Sequence, residues 1–437
     1  MLSRLKLFFT FFDSRFEDLN ASTWKLTVYR DFSAGLITAM TAIPMAMGFA
    51  MASGLRPEQG IIAGAVACIV GRTFGGSKYQ VYGPTAAFIP LIYSIMQNYN
   101  HSFLIFVSII SGLILMIMGL TGLGKIAKVV PESIIVGFTV GIGLSIALTN
   151  LGDALGYKTA IDGNMIQKFS KIISNFGEFN MYAFILAALT FGLTKGLLRV
   201  SIFIPAPLIA LGFCTLLAST VFASKGIVVV KDEFGSIPHN FFAFTMPVIP
   251  DFSWKVVFDV AYYVFAIVFI SGVESLLCSS MADKLANNKK TPFNPDKEYW
   301  GQGLVQIITP LLNGFPCTGA LARTATSIKA GALTPLAGYF KGVLKLLMAY
   351  FIAGYLEHIP MACIGGILLW VATNMIKVSE IKHVLTRGRF QSALMIYTAV
   401  MVPMTDFLTG VLSALIIYGL AHAFFHIRKE RFVTPRA

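Results

Sequence analysis

Apolar stretches follow one another along almost the whole chain, and most charged residues lie in the segments between them. A membrane-spanning helix needs about 20 predominantly apolar residues. On that criterion the pattern predicts an all-α polytopic membrane protein with 14 transmembrane segments, two of them short. We place these segments at residues 33–53, 57–74, 82–98, 102–123, 130–151, 180–197, 203–223, 256–282, 300–315, 319–331, 334–356, 360–377, 389–405 and 407–427.

The fourteen segments divide into two halves of seven. Because seven is odd, the second half enters the membrane from the opposite side, which is the arrangement of an inverted-topology repeat. The predicted organisation is a cytoplasmic N-terminal segment (1–32), a first repeat (33–223), an extracytoplasmic connection (224–255), a second repeat (256–427) and a basic cytoplasmic tail (428–437).

Composition and charge agree with this prediction. Hydrophobic residues make up 56% of the chain and charged residues 13%, with a formal net charge of +13, whereas soluble domains carry about 25% charged residues. Lys and Arg concentrate in the loops that this topology places inside, as the positive-inside rule requires. The excess positive charge therefore indicates a cell (inner) membrane protein with both termini cytoplasmic, surrounded by lipid, and not a nucleic-acid partner.

Segments 3 and 10 are interrupted by small residues and proline. Gly83-Pro84-Thr85-Ala86-Ala87 opens the first, and residues 316–324 (PCTGALART) open the second. Broken helices in corresponding positions of two repeats mark the binding site of a secondary transporter, and helix N-termini attract anions. The predicted backbone donors to a bound anion belong to Thr85, Ala86, Thr318, Gly319 and Ala320.

Two of the ionisable residues inside predicted spans are candidates for function, because a charged group in a membrane interior is energetically costly and often functional. Arg323, about one turn into segment 10, would supply a fixed positive charge; the alternative is that it snorkels to the surface or pairs with a carboxylate. Glu274 lies in segment 8, where burial disfavours its charged form, so it would take up and release a proton. Its alternative role is a structural hydrogen bond or an ion pair with Arg323 or Lys341.

An ordered set of motifs resembles the SulP anion transporter family, which includes sulfate permeases, cyanobacterial bicarbonate transporters and prestin. The matching motifs are at 30–39, 43–54, 82–87, 134–143, 272–277, 301–303 and 314–330. The resemblance implies a core of segments 1–4 and 8–11 that moves against a gate of segments 5–7 and 12–14. It also implies that Met45 and Phe49 line the pocket, although relatives often have Gln where Met45 stands. Most members carry a STAS domain after the last span, and we expect this chain to lack one.

These observations predict a secondary active transporter of a small oxyanion, sulfate first and then bicarbonate or a dicarboxylate, working as a proton-coupled symporter. The alternatives are a sodium-coupled bicarbonate symporter and a channel-like anion conductor. A nucleobase carrier would need carboxylates at the broken helices, where this chain has Arg323. No nucleophile–base pair and no Cys/His cluster appears, so we expect neither an enzyme nor a metal or cofactor site. The sequence leaves open whether the protein forms a homodimer.

Overall fold

Helices account for nearly all regular structure in the computed structural model, which describes residues 8–19, 22–124, 131–158, 161, 163, 165–238, 241–251, 253–405 and 407–433. In the first half the helices are α1 Trp24–Ala52, α2 Pro57–Phe74, α3 Ile89–Asn98, α4 His101–Thr121, α5 Glu132–Leu155, α6 Met165–Ser174, α7 Met181–Val200 and α8 Ala206–Thr220. The second half, after the short α9 Val230–Phe234, contains α10 Trp254–Leu285, α11 Pro295–Leu311, α12 Leu321–Lys329, α13 Leu336–Leu356, α14 Met361–Met375, α15 Val378–Thr386, α16 Arg389–Met404 and α17 Phe407–Val433.

Fourteen of these helices correspond to the predicted segments. Within the described ranges, seven helices are long and apolar enough by themselves to cross a membrane. The others are shorter or carry more polar residues, and α3 and α12 are the short members that begin at the two breaks. The remaining helices, α6, α9 and α15, lie between segments.

The two halves pack in equivalent ways. Helix α1 packs on α13, and its repeat counterpart α10 packs on α4; likewise α11 packs on α4, and α2 packs on α13. In the gate, α5 contacts α16 as α14 contacts α7. Exchanging segments 1–7 for segments 8–14 therefore maps one set of contacts onto the other, as a seven-plus-seven repeat requires. The amphipathic helices α6 and α15 also follow equivalent segments, 5 and 12.

Small residues bring core helices into backbone contact. A Cβ placed on Gly112 of α4 would lie 2.6 Å from the Gly303 carbonyl oxygen of α11, and a Cβ on Gly303 would lie 2.5 Å from the Gly112 oxygen. Close approach at small residues is how membrane helices gain packing energy in the absence of a hydrophobic driving force. These contacts hold segments 4 and 9 together as one unit of the core.

The N-terminal segment differs from its predicted bounds. Helix α1 begins at Trp24, well before residue 33, because the polar residues of this stretch find partners. Asp31 is fully buried, and its carboxylate accepts hydrogen bonds from the Leu333 N–H at 2.7 Å and from Thr334. Hydropathy alone does not show that a polar residue such as Asp31 has hydrogen-bond partners elsewhere in the chain. At the other end, α17 continues to Val433, and residues 434–437 of the predicted tail lie outside the described residues.

Upstream of α1, residues 8–19 fold against the core. Lys297 donates to the Asp13 carboxylate at 2.6 Å, and Arg15 donates to it at 2.8 Å. The Phe8 ring stacks on Trp300 with centroids 5.2 Å apart. Burial raises the pKa of Asp13, but its bonds to Arg15 and Lys297 outweigh that effect and hold the pKa below 3.8.

Candidate functional site

The two broken segments meet through their backbones. Tyr82–Gly83 and Thr318–Gly319 form a two-stranded antiparallel ladder, with Tyr82 opposite Gly319 and Gly83 opposite Thr318. The fold is mostly helical, as the sequence predicts, and this short ladder joins the two breaks. The reason is physical: backbone groups in a membrane interior must be satisfied within the protein, and two non-helical stretches can satisfy each other.

The ladder changes which N–H groups are available to an anion. The Ala320 N–H donates to the Val81 carbonyl at 2.9 Å, so it is not a free donor. Ala320 instead caps α12, and the first N–H groups of a helix, here at 321–323, have no intrahelical acceptor. Thr318 also uses its hydroxyl internally, donating to the Ser271 carbonyl at 3.3 Å. The positive end of segment 10 thus lies one to three residues later than the sequence predicts.

The start of segment 3 matches its prediction more closely. Thr85 has an extended backbone and precedes a single 3-10 turn, Ala86–Phe88, which leads into α3. Thr85 and Ala86 are buried, with 8% and 7% of their surface exposed. The N–H groups of this first turn point away from the rest of the helix, as at any helix start.

Arg323 lies between the two breaks. It is 4% exposed, and one guanidinium nitrogen, Nη2, donates to the Pro84 carbonyl of segment 3. A second guanidinium nitrogen, Nη1, is buried with no hydrogen-bond partner in the protein. It lies beside Gly83, where a Cβ would come within 2.9 Å of it. A buried charged donor without an acceptor is rare and calls for a ligand or an ion.

Glu274 reaches the same place from α10. Its carboxylate accepts a hydrogen bond from the Thr85 hydroxyl at 3.0 Å, and the side chain is half-buried. Within the described part of the chain it forms no ion pair with Arg323 or Lys341, whereas the bond from Thr85 is a hydrogen bond of the kind that the sequence left open as its alternative role. The structure therefore brings together Thr85, Glu274 and Arg323, which come from segments 3, 8 and 10.

The predicted pocket residues of segment 1 are buried and share one face of α1. Met45 and Phe49 are 9% and 4% exposed. Both belong to the apolar cluster that also includes Ala86 of the segment 3 start.

Two buried lysines of α13 were not among the predicted site residues. Lys341 Nζ donates to the Tyr82 carbonyl at 2.8 Å, and Lys345 Nζ donates to the Gly60 carbonyl at 3.1 Å. Both side chains are fully buried. The signal was present in the sequence, because two lysines four residues apart inside an apolar span lie on one helix face. Only the fold shows that this face meets the break of segment 3.

A carboxylate on α11 holds the loop before segment 3. Glu298 is fully buried and accepts from the Tyr82 hydroxyl at 2.7 Å, from Gln80 at 2.8 Å and from Ser275 at 2.6 Å. Its second oxygen accepts from the Gly76 N–H at 2.9 Å. With this many donors its role is to position the break, and the sequence reasoning missed it.

A cavity of about 300 Å³ is lined by residues of α3 and of neighbouring helices. It lies between core and gate, with Ile89, Ser145 and Pro403 among the residues that line it. Lys168 of α6 also lines it and donates to the Thr149 hydroxyl at 2.6 Å. Burial lowers the pKa of Lys168 to about 8. Arg323 and Glu274 are not among the residues that line this cavity.

An inverted repeat with two broken helices, facing each other around a buried cation, defines a membrane transport protein. Comparison with known sequences identifies the family of this transport protein. Residues 28–400 match the model of the Sulfate permease family, and the chain belongs to that family. The putative sulfate transporter YvdB of Bacillus subtilis (strain 168) is 34% identical over 95% of this chain and 76% of its own length. These proteins are permeases and not enzymes.

Solved structures share the fold. The transmembrane domain of the cyanobacterial bicarbonate transporter BicA superposes with a TM-score of 0.76 at 23% identity, covering 89% of this chain and 97% of that domain. The structure of SLC26A9 gives a TM-score of 0.80 at 18% identity, covering 92% of this chain and 66% of that one. The chain is thus a multi-pass integral membrane protein with the 14-segment fold of these transporters.

Proposed function

We propose that this protein is a secondary active transporter of a small oxyanion, with sulfate as the first candidate substrate and bicarbonate and dicarboxylates after it. The observation that carries the proposal is the buried Arg323 Nη1, a charged donor with no protein acceptor, located where two helix starts meet. Membership of the sulfate permease family and the names of its relatives support an anion as the cargo.

The binding step follows from the donors present. A guanidinium nitrogen and the first N–H groups of α12 come from one segment, and the first turn of segment 3 follows the strand that pairs with the start of this segment. Charge-assisted hydrogen bonds of this kind are about twice as strong as neutral ones. The core, segments 1–4 and 8–11, would carry the bound anion past the gate, segments 5–7 and 12–14, and so expose it to each side in turn.

Glu274 is the proposed coupling group. An anion that binds next to its carboxylate favours the protonated form, because the two negative charges repel each other. Proton and anion would therefore bind together, and the Thr85 hydroxyl would reorient between accepting from and donating to the carboxyl group. This arrangement supports proton symport.

Sodium coupling is the second candidate, because hydroxyl and carbonyl oxygens are available on the helix of Glu274 and on the two breaks. The Thr85 hydroxyl bonds to Glu274, and the Thr318 hydroxyl lies 3.3 Å from the Ser271 carbonyl oxygen on the same helix as Glu274. Hard cations such as Na⁺ prefer oxygen ligands of this type. One relative is named a bicarbonate transporter, BicA, and this name supports sodium-coupled bicarbonate symport as the alternative.

Uptake into proteoliposomes tests the proposal. The intact chain is reconstituted, and uptake of labelled sulfate, bicarbonate and a dicarboxylate is followed with a pH gradient or a sodium gradient imposed separately. We expect saturable sulfate uptake driven by an inward proton gradient. Uptake driven only by sodium would favour the second candidate, and electrical conductance without saturation would indicate a channel. No uptake of any oxyanion would overturn the proposal.

A variant at Glu274 tests the coupling step. Glu274→Gln mimics the protonated acid and cannot cycle, so gradient-driven uptake should fall while anion counterflow survives. Asp283→Asn is the matched control, because Asp283 lies at the end of the same helix and caps a local turn, accepting from the Phe293 N–H at 2.7 Å. Gradient-driven uptake that is unaffected by Glu274→Gln would assign the coupling to another group.

A further inference from the structure

Three cationic side chains surround the break of segment 3. Lys341 bonds to the Tyr82 carbonyl, and Arg323 bonds to the Pro84 carbonyl. Lys345 is adjacent as well: a Cβ on Gly64 would collide with its Nζ and would lie 3.3 Å from Pro84 Cδ. Residues 82–84 are thus enclosed by positive charge contributed by α12 and α13.

The positive charge is not balanced by neighbouring carboxylates. Lys341 and Lys345 are fully buried, and their hydrogen-bond acceptors are neutral carbonyl oxygens. No ion pair to either lysine is present in the described part of the chain. Glu274, bonded to Thr85, and Glu298, bonded to Tyr82, are the carboxylates that the described residues place at this break. Three cations against two carboxylates leave an excess of about one positive charge, and unpaired buried charge is costly unless a ligand compensates it.

We propose that Lys341 and Lys345 are specificity-determining residues that make the central site prefer dianions to monoanions. The inference rests on the proposed function, because it takes the oxyanion to bind between segments 3 and 10. The lysines do not touch the ligand in this scheme; they act through their electrostatic field. Coulomb energy scales with the product of the charges, so each fixed cation favours a dianion twice as strongly as a monoanion. The substrate class is therefore a dianion.

The size of the effect follows from distance. If a fixed unit charge is taken to lie about 8 Å from the ligand, at an effective dielectric constant of about 20, it changes affinity by roughly 30-fold per unit of ligand charge. Removing one lysine charge should lower monoanion affinity by about 30-fold and dianion affinity by about the square of that factor. The ratio of the two affinities, which is the selectivity, should fall by roughly 30-fold.

Anion binding to the purified intact chain tests this inference. Calorimetry with sodium sulfate and with sodium nitrate, at constant ionic strength, is performed on wild type, Lys341→Met, Lys345→Met and the charge-preserving Lys345→Arg. Lys329→Met is the matched control, because Lys329 is an exposed lysine at the end of α12 whose charge is screened by solvent. We expect the sulfate-to-nitrate ratio to fall in both inner Met variants and to be retained in Lys345→Arg and Lys329→Met.

Each outcome has a defined meaning. Equal loss of affinity for both anions would show that the lysines only maintain the shape of the break, and an unchanged ratio would show that their charge does not reach the ligand; either result overturns the inference. The wild-type chain gives a readout that needs no variant: it should bind sulfate at least tenfold more tightly than nitrate, and equal affinities would overturn the inference even if the Met variants failed to fold. If wild type binds no oxyanion, the proposed function itself fails, and this result differs from binding without selectivity.

Discussion

Replacing Arg323 is the most direct test of the central site. Arg323→Gln removes the positive charge but keeps a side chain that can donate a hydrogen bond. This residue has two roles: Nη2 donates to the Pro84 carbonyl, and the unpartnered Nη1 is the proposed anion donor. Loss of the first role should lower the stability of the protein, and loss of the second should lower its affinity for the anion.

The magnitudes can be worked out separately. A unit charge about 4 Å from the anion contributes about 4 kcal/mol per unit of ligand charge at an effective dielectric constant of about 20. Even for a monoanion this corresponds to roughly a thousandfold loss of affinity. Loss of the bond to Pro84 leaves a buried carbonyl unsatisfied, which costs about 1–3 kcal/mol of folding free energy. Binding should thus collapse while the protein remains folded, with a lower melting temperature.

Calorimetry in detergent measures the affinity, and thermal unfolding of the same sample measures the stability. Arg387→Gln is the matched control, because Arg387 is a half-exposed arginine whose guanidinium pairs with Glu132 at 2.7 Å on the gate surface. We expect the control to bind anions as wild type does. A folded Arg323→Gln protein with affinity within threefold of wild type for every substrate would refute the assignment of Arg323.

Three further predictions follow from other parts of the structure. Ala320→Asp should abolish transport at normal expression, because a carboxylate at the cap of α12 would accept from the free N–H groups of its first turn and repel the anion; persistent uptake would place the anion elsewhere. Gly112→Val should lower the melting temperature and the yield, because a Cβ at Gly112 would lie 2.6 Å from the Gly303 oxygen; unchanged stability would show that α4 and α11 can separate. Asp13→Asn should lower the melting temperature at neutral pH, and the difference from wild type should shrink as the pH falls below 3.8 and vanish once the pH is below the lowered pKa of Asp13, because the ion pairs stabilise only the ionised carboxylate; a difference that is independent of pH would mean that the ion pairs contribute nothing.

The amino-acid sequence by itself determined the membrane class, the fourteen segments and the two breaks. These follow from local properties: the length of an apolar run, and the interruption of that run by glycine and proline. It also pointed to Arg323 and Glu274, because an ionisable residue inside an apolar run is conspicuous wherever it packs. The bounds of the helices were less well determined, as the early start of α1 at Trp24 shows, because Asp31 becomes acceptable in a helix only through its partner Thr334.

Only the tertiary structure decided which groups face the anion. The pairing of residues 82–83 with 318–319 consumes the Ala320 N–H and moves the available donors into the first turn of α12. The same fold brings Lys341 and Lys345 to the break and leaves Arg323 Nη1 without a partner. These features depend on hydrogen bonds and charges between residues more than 200 positions apart. Hydropathy and local motifs carry no information on such distances, so the electrostatic character of the site, and with it the proposed choice of a dianion, emerges only when the two halves are folded together.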